Sequence, residues 1–231
     1  MSTPRSMGSR GACVLLAAAL LLGAHGAQAA ALGTLAPEWV SVGVSSGTTL
    51  EDASLGLYQW DLRPHLAYGA SAFAGRGRFA LGARLWRSQT TQAIDPSVAI
   101  SPQVRSTTFE LTGRVRLAER FGVALDACGS AGRLHLGYAP DVLAIPIGGG
   151  SSVNVALSPI TTWIGGGGVA LRRGLLPHWD LEAQLERELF SLDTAHRAGA
   201  QEIDARQSFG DWSARLELAR TFSLSVKGTS R

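Results

Sequence analysis

Residues 212–226 sort their side chains by parity. Trp212, Ala214, Leu216, Leu218, Phe222, Leu224 and Val226 fall on one set of alternate positions, and Ser213, Arg215, Glu217, Thr221, Ser223 and Ser225 on the other, with Arg220 the exception. A β-strand places the two sets on opposite faces, whereas a helix would scatter both around its circumference. The chain must therefore supply two different environments to one strand.

The same separation recurs upstream. Leu62, Leu66, Tyr68, Ala70, Ala72 and Ala74 oppose Asp61, Arg63, His65, Gly69 and Ser71; Phe79, Leu81, Ala83 and Leu85 oppose Arg78, Gly82, Arg84 and Ser88. Phe109, Leu111, Val115 and Leu117 oppose Glu110, Thr112, Arg114 and Arg116, and the pattern continues through Phe121, Val123, Leu125, Ala127 and Ala131 against Asp126, Cys128 and Ser130. Weaker alternation marks 38–45 and the Gly-rich 161–172. Residues 178–191 read both ways: Leu181, Leu185, Leu189 and Leu192 recur at helical spacing and EAQLERELF has helical propensity, yet the parity split puts Glu182, Gln184, Glu186 and Glu188 on one face. The surrounding series favours a strand there. The reading predicts eight strands, at about 38–46, 60–74, 77–88, 104–118, 120–136, 161–172, 178–191 and 208–226.

Connections after the second, fourth and sixth strands are short, and those after the first, third, fifth and seventh are longer and rich in Ser, Thr, Gly, Asp and Pro. This rhythm, with an even strand number, predicts an all-β, eight-stranded antiparallel up-and-down transmembrane β-barrel: apolar outside, polar inside. A soluble sandwich is the competing fold. Its buried faces would be dense in Leu, Val, Phe and Trp, whereas here the apolar parity carries many Ala and the other mixes charge with Gly and Ser. Gly, at 28 residues, is well above ordinary usage, and the charged fraction of 17% is below it.

Residues 1–29 read as a signal peptide: Arg5 and Arg10 without acids, an apolar run at 13–24, then Ala27-Gln28-Ala29 before a cut at Ala30. That run is too short for a spanning helix, which needs about 20 residues. Residues 30–231 are then one barrel domain, its strands within about 38–226. Without the two leader arginines, the 21 basic and 18 acidic residues become nearly balanced, so no nucleic-acid partner is expected. Cys13 is lost with the leader, leaving Cys128 and no intrachain disulfide framework.

Leader, alternating segments and connection rhythm together resemble the small outer-membrane β-barrel proteins of Gram-negative bacteria, of the OmpA-like and OmpW-like kind, over roughly 38–226. The resemblance implies an outer-membrane location, lipids and the barrel-assembly machinery as partners, periplasmic termini and tight turns, and extracellular loops at 47–59, 89–103, 137–160 and 192–207. Barrels of this kind end on an aromatic residue; Phe222 is the counterpart here, with Ser223 to Arg231 extending beyond it.

Parity sends Asp61, Arg63, His65, Arg84, Glu110, Arg114, Arg116, Asp126, Glu182, Glu186, Glu188, Arg215 and Glu217 into the lumen. Buried charges must be paired or hydrated, so Arg215, with Arg172 available, is expected to face the acidic row of 180–188 and fill the barrel. Trp39, Trp60, Trp86, Trp163, Trp179 and Trp212 lie near strand ends, where aromatic girdles form. Of His65, His135, His178 and His196, none sits in a hydrolytic motif. Gly148–Gly150 and Gly165–Gly168 lack the Lys-Ser/Thr of a phosphate loop, and the only Lys after the leader is Lys227. Cys128 reads as a small inward packing residue. No catalytic, cofactor-binding or metal-ligating residue is singled out and no cofactor is expected. The function expected is non-enzymatic: a structural or surface-interaction role toward an extracellular ligand or envelope component, as a monomer. A small-solute or small-hydrophobe channel is the alternative; an outer-membrane lipid hydrolase or a soluble periplasmic binding sandwich ranks below it.

Overall fold

The computed structural model describes residues 36–51, 65–91, 103–148, 150–156, 158–193, 196–198, 201–203 and 206–224. Eight strands close into a barrel: β1 (Trp39–Glu51), β2 (His65–Arg76), β3 (Phe79–Thr91), β4 (Gln103–Arg120), β5 (Val123–Ala139), β8 (Ile160–Leu176), β9 (Trp179–Asp193) and β12 (Arg206–Ser223). Each pairs antiparallel with its neighbours, and β1 pairs with β12 to close the ring. The stretch that also carried a helical pattern, 178–191, is strand β9: its acidic parity needs the lumen that only a strand face supplies. Four further strands form two hairpins, β6 (Val142–Gly148) with β7 (Ser151–Ala156) and β10 (His196–Ala198) with β11 (Gln201–Ile203). The expected connections at 137–160 and 192–207 are thus not loops throughout, because extended segments fold back and pair.

Three two-residue turns join β2–β3, β4–β5 and β8–β9, about two residues beyond the expected positions. Gly77 (φ 55°) opens the first, which suits a Gly-X turn; Phe121 (φ 53°) and Gly122 (φ 73°) are both left-handed, the geometry that matches strand twist. In the third, Pro177 precedes His178 at φ 68°, the arrangement of a type II turn.

One row of paired residues runs from Arg220 through Val42, Ala72, Ala83, Leu111, Ala131, Gly165 and Leu189, and returns to β12 at Gly210, ten residues from its start. That stagger over eight strands inclines them by about 40° to the barrel axis. The inclination fixes which residues share a level. Trp179 and Arg220 mark the tight-turn rim, and Trp212 pairs with Arg187, eight residues up β9. At this tilt the two levels are about 20 Å apart, close to the apolar band of an outer-membrane barrel.

Between those levels the outward face carries no charge on any strand. It consists of Val42 and Val44, Ala70 to Ala74, Leu81 to Leu85, Phe109 to Val115, Leu125 to Ala131, Gly165 to Leu171, Leu181 to Leu185, and Ala214 to Leu218, taking alternate positions. Many are widely exposed, as with Leu81 (74%), Val44 (65%) and Leu111 (64%). A soluble protein buries such a wall; here it faces the surroundings and the charges are inside.

Candidate functional site: an ion-paired lumen beneath an apolar chamber

The inward face of the lower barrel holds the charges that parity assigned to it. Arg84 on β3 and Glu186 on β9 stand four strands apart in an eight-strand ring, so their contact crosses the lumen: Arg84 Nη1 donates to Glu186 Oε2 at 3.0 Å and Nη2 to Gln184 Oε1 at 2.7 Å. Glu110 on β4 lies opposite Arg215 on β12, with Oε2 3.9 Å from Arg215 Nη2 and 3.5 Å from Arg84 Nη1. Arg215 also donates to Glu186 Oε2 at 2.8 Å and pairs with Glu188. Ser130 donates to Glu186 and Glu110, and Ser213 to Glu188 at 2.9 Å. Arg84, Glu110, Glu186 and Arg215 are all at most 5% exposed. Removing ions from water costs several kcal/mol each, and shared pairing with extra hydrogen bonds offsets that cost.

Below this tier Arg114 pairs with Glu182 and lies over the Phe73 ring at 3.7 Å. At the tight-turn rim Asp126 stands 3.5 Å from Arg116 and 3.6 Å from Arg172. Arg172 stands directly opposite Glu182 in the β8–β9 ladder, but Glu182 is bridged by Arg114, and the salt bridge of Arg172 is to Asp126, diagonal to it across the β5–β8 ladder, rather than to the acidic row of β9 as expected. Glu217 accepts from Ser71 at 2.7 Å. Cys128 is buried and inward and accepts from Gln184 at 3.2 Å. Inward glycines make room for these side chains: a Cβ at Gly43 would meet Glu217 Oε1 at 2.5 Å, and one at Gly69 the Trp86 ring at 2.5 Å. Asp61 and Arg63 lie outside the described residues, and His65 opens β2.

Above the ionic tier the lining changes. Val104, Leu134, Leu136, Ile164, Leu192 and Phe209 point inward as one buried cluster, joined by Tyr138, Ile160 and Phe190. Phe190 and Phe209 stack at 5.4 Å. A cavity of about 50 Å³ lies where this cluster meets the network, bounded by Trp86, Leu134, Ile164, Phe190, Phe209, Glu188 and Asp211 among others. Sequence reading missed this chamber. Its signal was present as a change of parity: apolar residues move from odd to even positions between Ala131 and Leu134 on β5 and between Leu189 and Phe190 on β9.

Trp163, Trp179 and Trp212 face outward near the two boundaries, as girdle residues do. Trp39 and Trp86 do not, contrary to expectation. Trp86 is buried in the lumen beneath the Arg215 guanidinium at 4.8 Å, and Trp39 lies on the inward parity near the rim, 5.7 Å from Arg172. Trp60 is outside the described residues. His135 faces outward beside Thr161 at 2.9 Å, while His178 occupies a turn at the opposite rim, so the two do not converge. His196 opens β10, away from the barrel ladder. Of the glycine run, Gly166 and Gly168 point inward against the β9 backbone, while Gly165 and Gly167 point outward. Among the described residues, no group of three or more His, Cys, Asp and Glu side chains is arranged to hold a metal ion.

A closed ring of eight strands, an uncharged outer band and an ion-paired interior define a transmembrane β-barrel of the outer-membrane type. No family model and no curated protein matches the chain. Among solved structures it is similar to outer-membrane protein AlkL in lipid bilayers (13% identity, TM-score 0.47, covering 83% of this chain and 92% of that one). It is also similar to OprG from Pseudomonas aeruginosa (10%, 0.44, 82% and 97%) and to the attachment invasion locus protein Ail of Yersinia pestis (15%, 0.42, 81% and 100%). All three scores are below 0.5; the class rests on the barrel's own geometry.

Proposed function

We propose that the chain, after removal of residues 1–29 as a signal peptide, is a non-enzymatic outer-membrane protein with a structural or surface-interaction role, its lumen closed by the paired charges. The observation that carries this reading is the cross-lumen set of Arg84, Glu110, Glu186 and Arg215, drawn from strands on opposite sides of the ring. A passive pore of useful width needs water where these side chains meet. The orientation taken from the family resemblance points the hairpins β6–β7 and β10–β11 and the longer connections outward from the cell. They give the surface on which a partner would act. Assembly by the barrel machinery and a monomeric state belong to the same proposal.

A second reading has one observation in its favour. The apolar cluster above the network lines a cavity of about 50 Å³ with aromatic and aliphatic side chains, and its opening to a small hydrophobic solute would favour transport over support. Single-channel recording in planar bilayers tests closure: the reading expects no stable conductance, and large reproducible openings of folded protein contradict it. Replacing residues 140–158 by a short turn, with heat-modifiable folding verified, separates the two roles. Loss of whole-cell surface binding supports the interaction role; intact binding with lost uptake of small hydrophobic compounds favours transport.

A further inference from the structure

The outer wall is unequal around its circumference. On β3, β4 and β5, at the rim of the longer connections, Arg87, Arg105, Arg133 and His135 all face outward and are all exposed. Register makes them one patch: Arg87 pairs with Thr107, Thr107 with His135, and Arg105 lies two residues farther up β4, opposite Gln89 and Gly137. Arg87 and His135 are separated by one strand, about 10 Å across the sheet. No carboxylate faces outward on this part of the wall among the described residues. Arg133 lies flat over the Trp163 ring at 3.8 Å, which fixes its guanidinium at the boundary of the apolar band.

Directly beneath the patch the wall is hollowed. Below Arg133, the outward positions of β5 are Ala131, Gly129 and Ala127, and Gly113 and Gly167 flank Gly129 in the same row. Leu81 and Leu111 overhang the depression, whose volume is about 560 Å³. The barrel does not need glycine there. A Cβ at Gly113, Gly129 or Gly167 would meet its nearest neighbour at 3.6, 3.8 or 3.5 Å, ordinary contact distances, unlike the inward glycines.

We propose that this sector binds one phosphate-bearing lipid of the leaflet at the longer-connection rim, its headgroup on Arg87, Arg105 and Arg133 and an acyl chain in the trough over Gly129. Guanidinium groups match phosphate oxygens in charge and geometry. The trough begins at Ala131, one outward position below Arg133, and continues over Gly129, where the chain attached to such a headgroup must run. The inference goes beyond the role proposed above and rests only on the membrane placement of the outer band.

The test uses the full barrel purified in detergent and shown to be heat-modifiable, with lipid binding read by native mass spectrometry. The probes are a bisphosphorylated glucosamine-based lipid A and its dephosphorylated counterpart. Wild type is expected to retain the phosphorylated form about a hundredfold more tightly, given roughly a fivefold gain for each of the three arginines near a charged headgroup. The triple substitution Arg87→Gln, Arg105→Gln, Arg133→Gln should erase that preference. Gly129→Leu, which fills the trough and leaves the patch intact, should weaken both lipids. Equal retention of the two lipids by wild type, or unchanged binding in the triple variant, overturns the headgroup assignment. Full affinity in Gly129→Leu overturns the lipid as occupant and leaves only a surface anion site. Heat-modifiability of each variant reports barrel integrity separately from binding.

Discussion

On the lower part of β9, Leu181, Ala183 and Leu185 face outward and Glu182, Gln184 and Glu186 face the lumen; a few residues farther on, Phe190 and Leu192 face inward while Ser191 faces out. The same exchange occurs on β5, where Ala127 to Ala131 lie outside below Leu134 and Leu136 inside, with Arg133 and His135 outside. A single unbroken ladder thus runs through two environments. Within the apolar band the wall is turned inside out, because lipid solvates the outer side chains and the lumen must satisfy the polar ones. Above the band the barrel follows the rule of soluble proteins, with an apolar core and a polar exterior. Parity alone does not distinguish inside from outside; the medium at each level does.

Removing one member of the buried ionic tier should show the largest effect, since the remaining charges cannot reach water. Arg215→Ala leaves Glu186 and Glu188 short of a cation, and the expected loss is about 3–5 kcal/mol, read as a lower denaturant midpoint for heat-modifiable folding. Arg215 and a glutamate replaced together by well-packed apolar residues should recover much of it.

Leu192→Ala in the upper chamber should cost about 2–5 kcal/mol, as for any buried leucine truncation. Leu111→Ala on the outer wall should cost far less, since lipid fills the space. Equal costs at the two positions would break the distinction between a packed core and a lipid-solvated wall.

A charge placed on the outer wall sharpens the boundary. Ala183→Arg, halfway between the Trp179 and Arg187 levels on the outward face, should destabilise the reconstituted barrel by about 2–4 kcal/mol, the penalty for arginine near a bilayer midplane. His135→Arg, above the band, should change stability by about 1 kcal/mol or less. Smaller still is the effect at a turn: Phe121→Asn, at a left-handed position before Gly122, should stabilise folding by about 0.5–1 kcal/mol in the same denaturant assay.

The strand series and its closure were legible because alternation survives wherever one face meets lipid and the other a polar lumen. The lumen charges from Arg84 to Glu217 were legible for the same reason. Partner choice was not: Arg172 bridges the diagonal Asp126 while Glu182, directly opposite it on β9, is bridged by Arg114 from across the lumen, an arrangement no single strand encodes. The chamber was hidden because its apolar residues occupy the parity that carries charge lower on the same strands, so a pattern judged over whole strands averages the two. Trp39 and Trp86 were misplaced by proximity to strand ends, when their parity with Ser41 and Arg84 already pointed inward. The hairpin β6–β7 pairs segments on either side of Gly150 (φ 80°) within 137–160, where the sequence shows a loop composition and no sustained strand alternation.

The central claim is that one wall crosses from lipid to water along its length. Nitroxide labels placed singly on the outward side of β9, at positions 181, 185, 189 and 191, in barrels reconstituted into bilayers, test it through collision with oxygen and with a water-soluble relaxant. Oxygen should dominate at 181 and 185, weaken at 189 and give way to the aqueous relaxant at 191. Aqueous access that is high and uniform at all four positions would contradict a membrane-spanning wall.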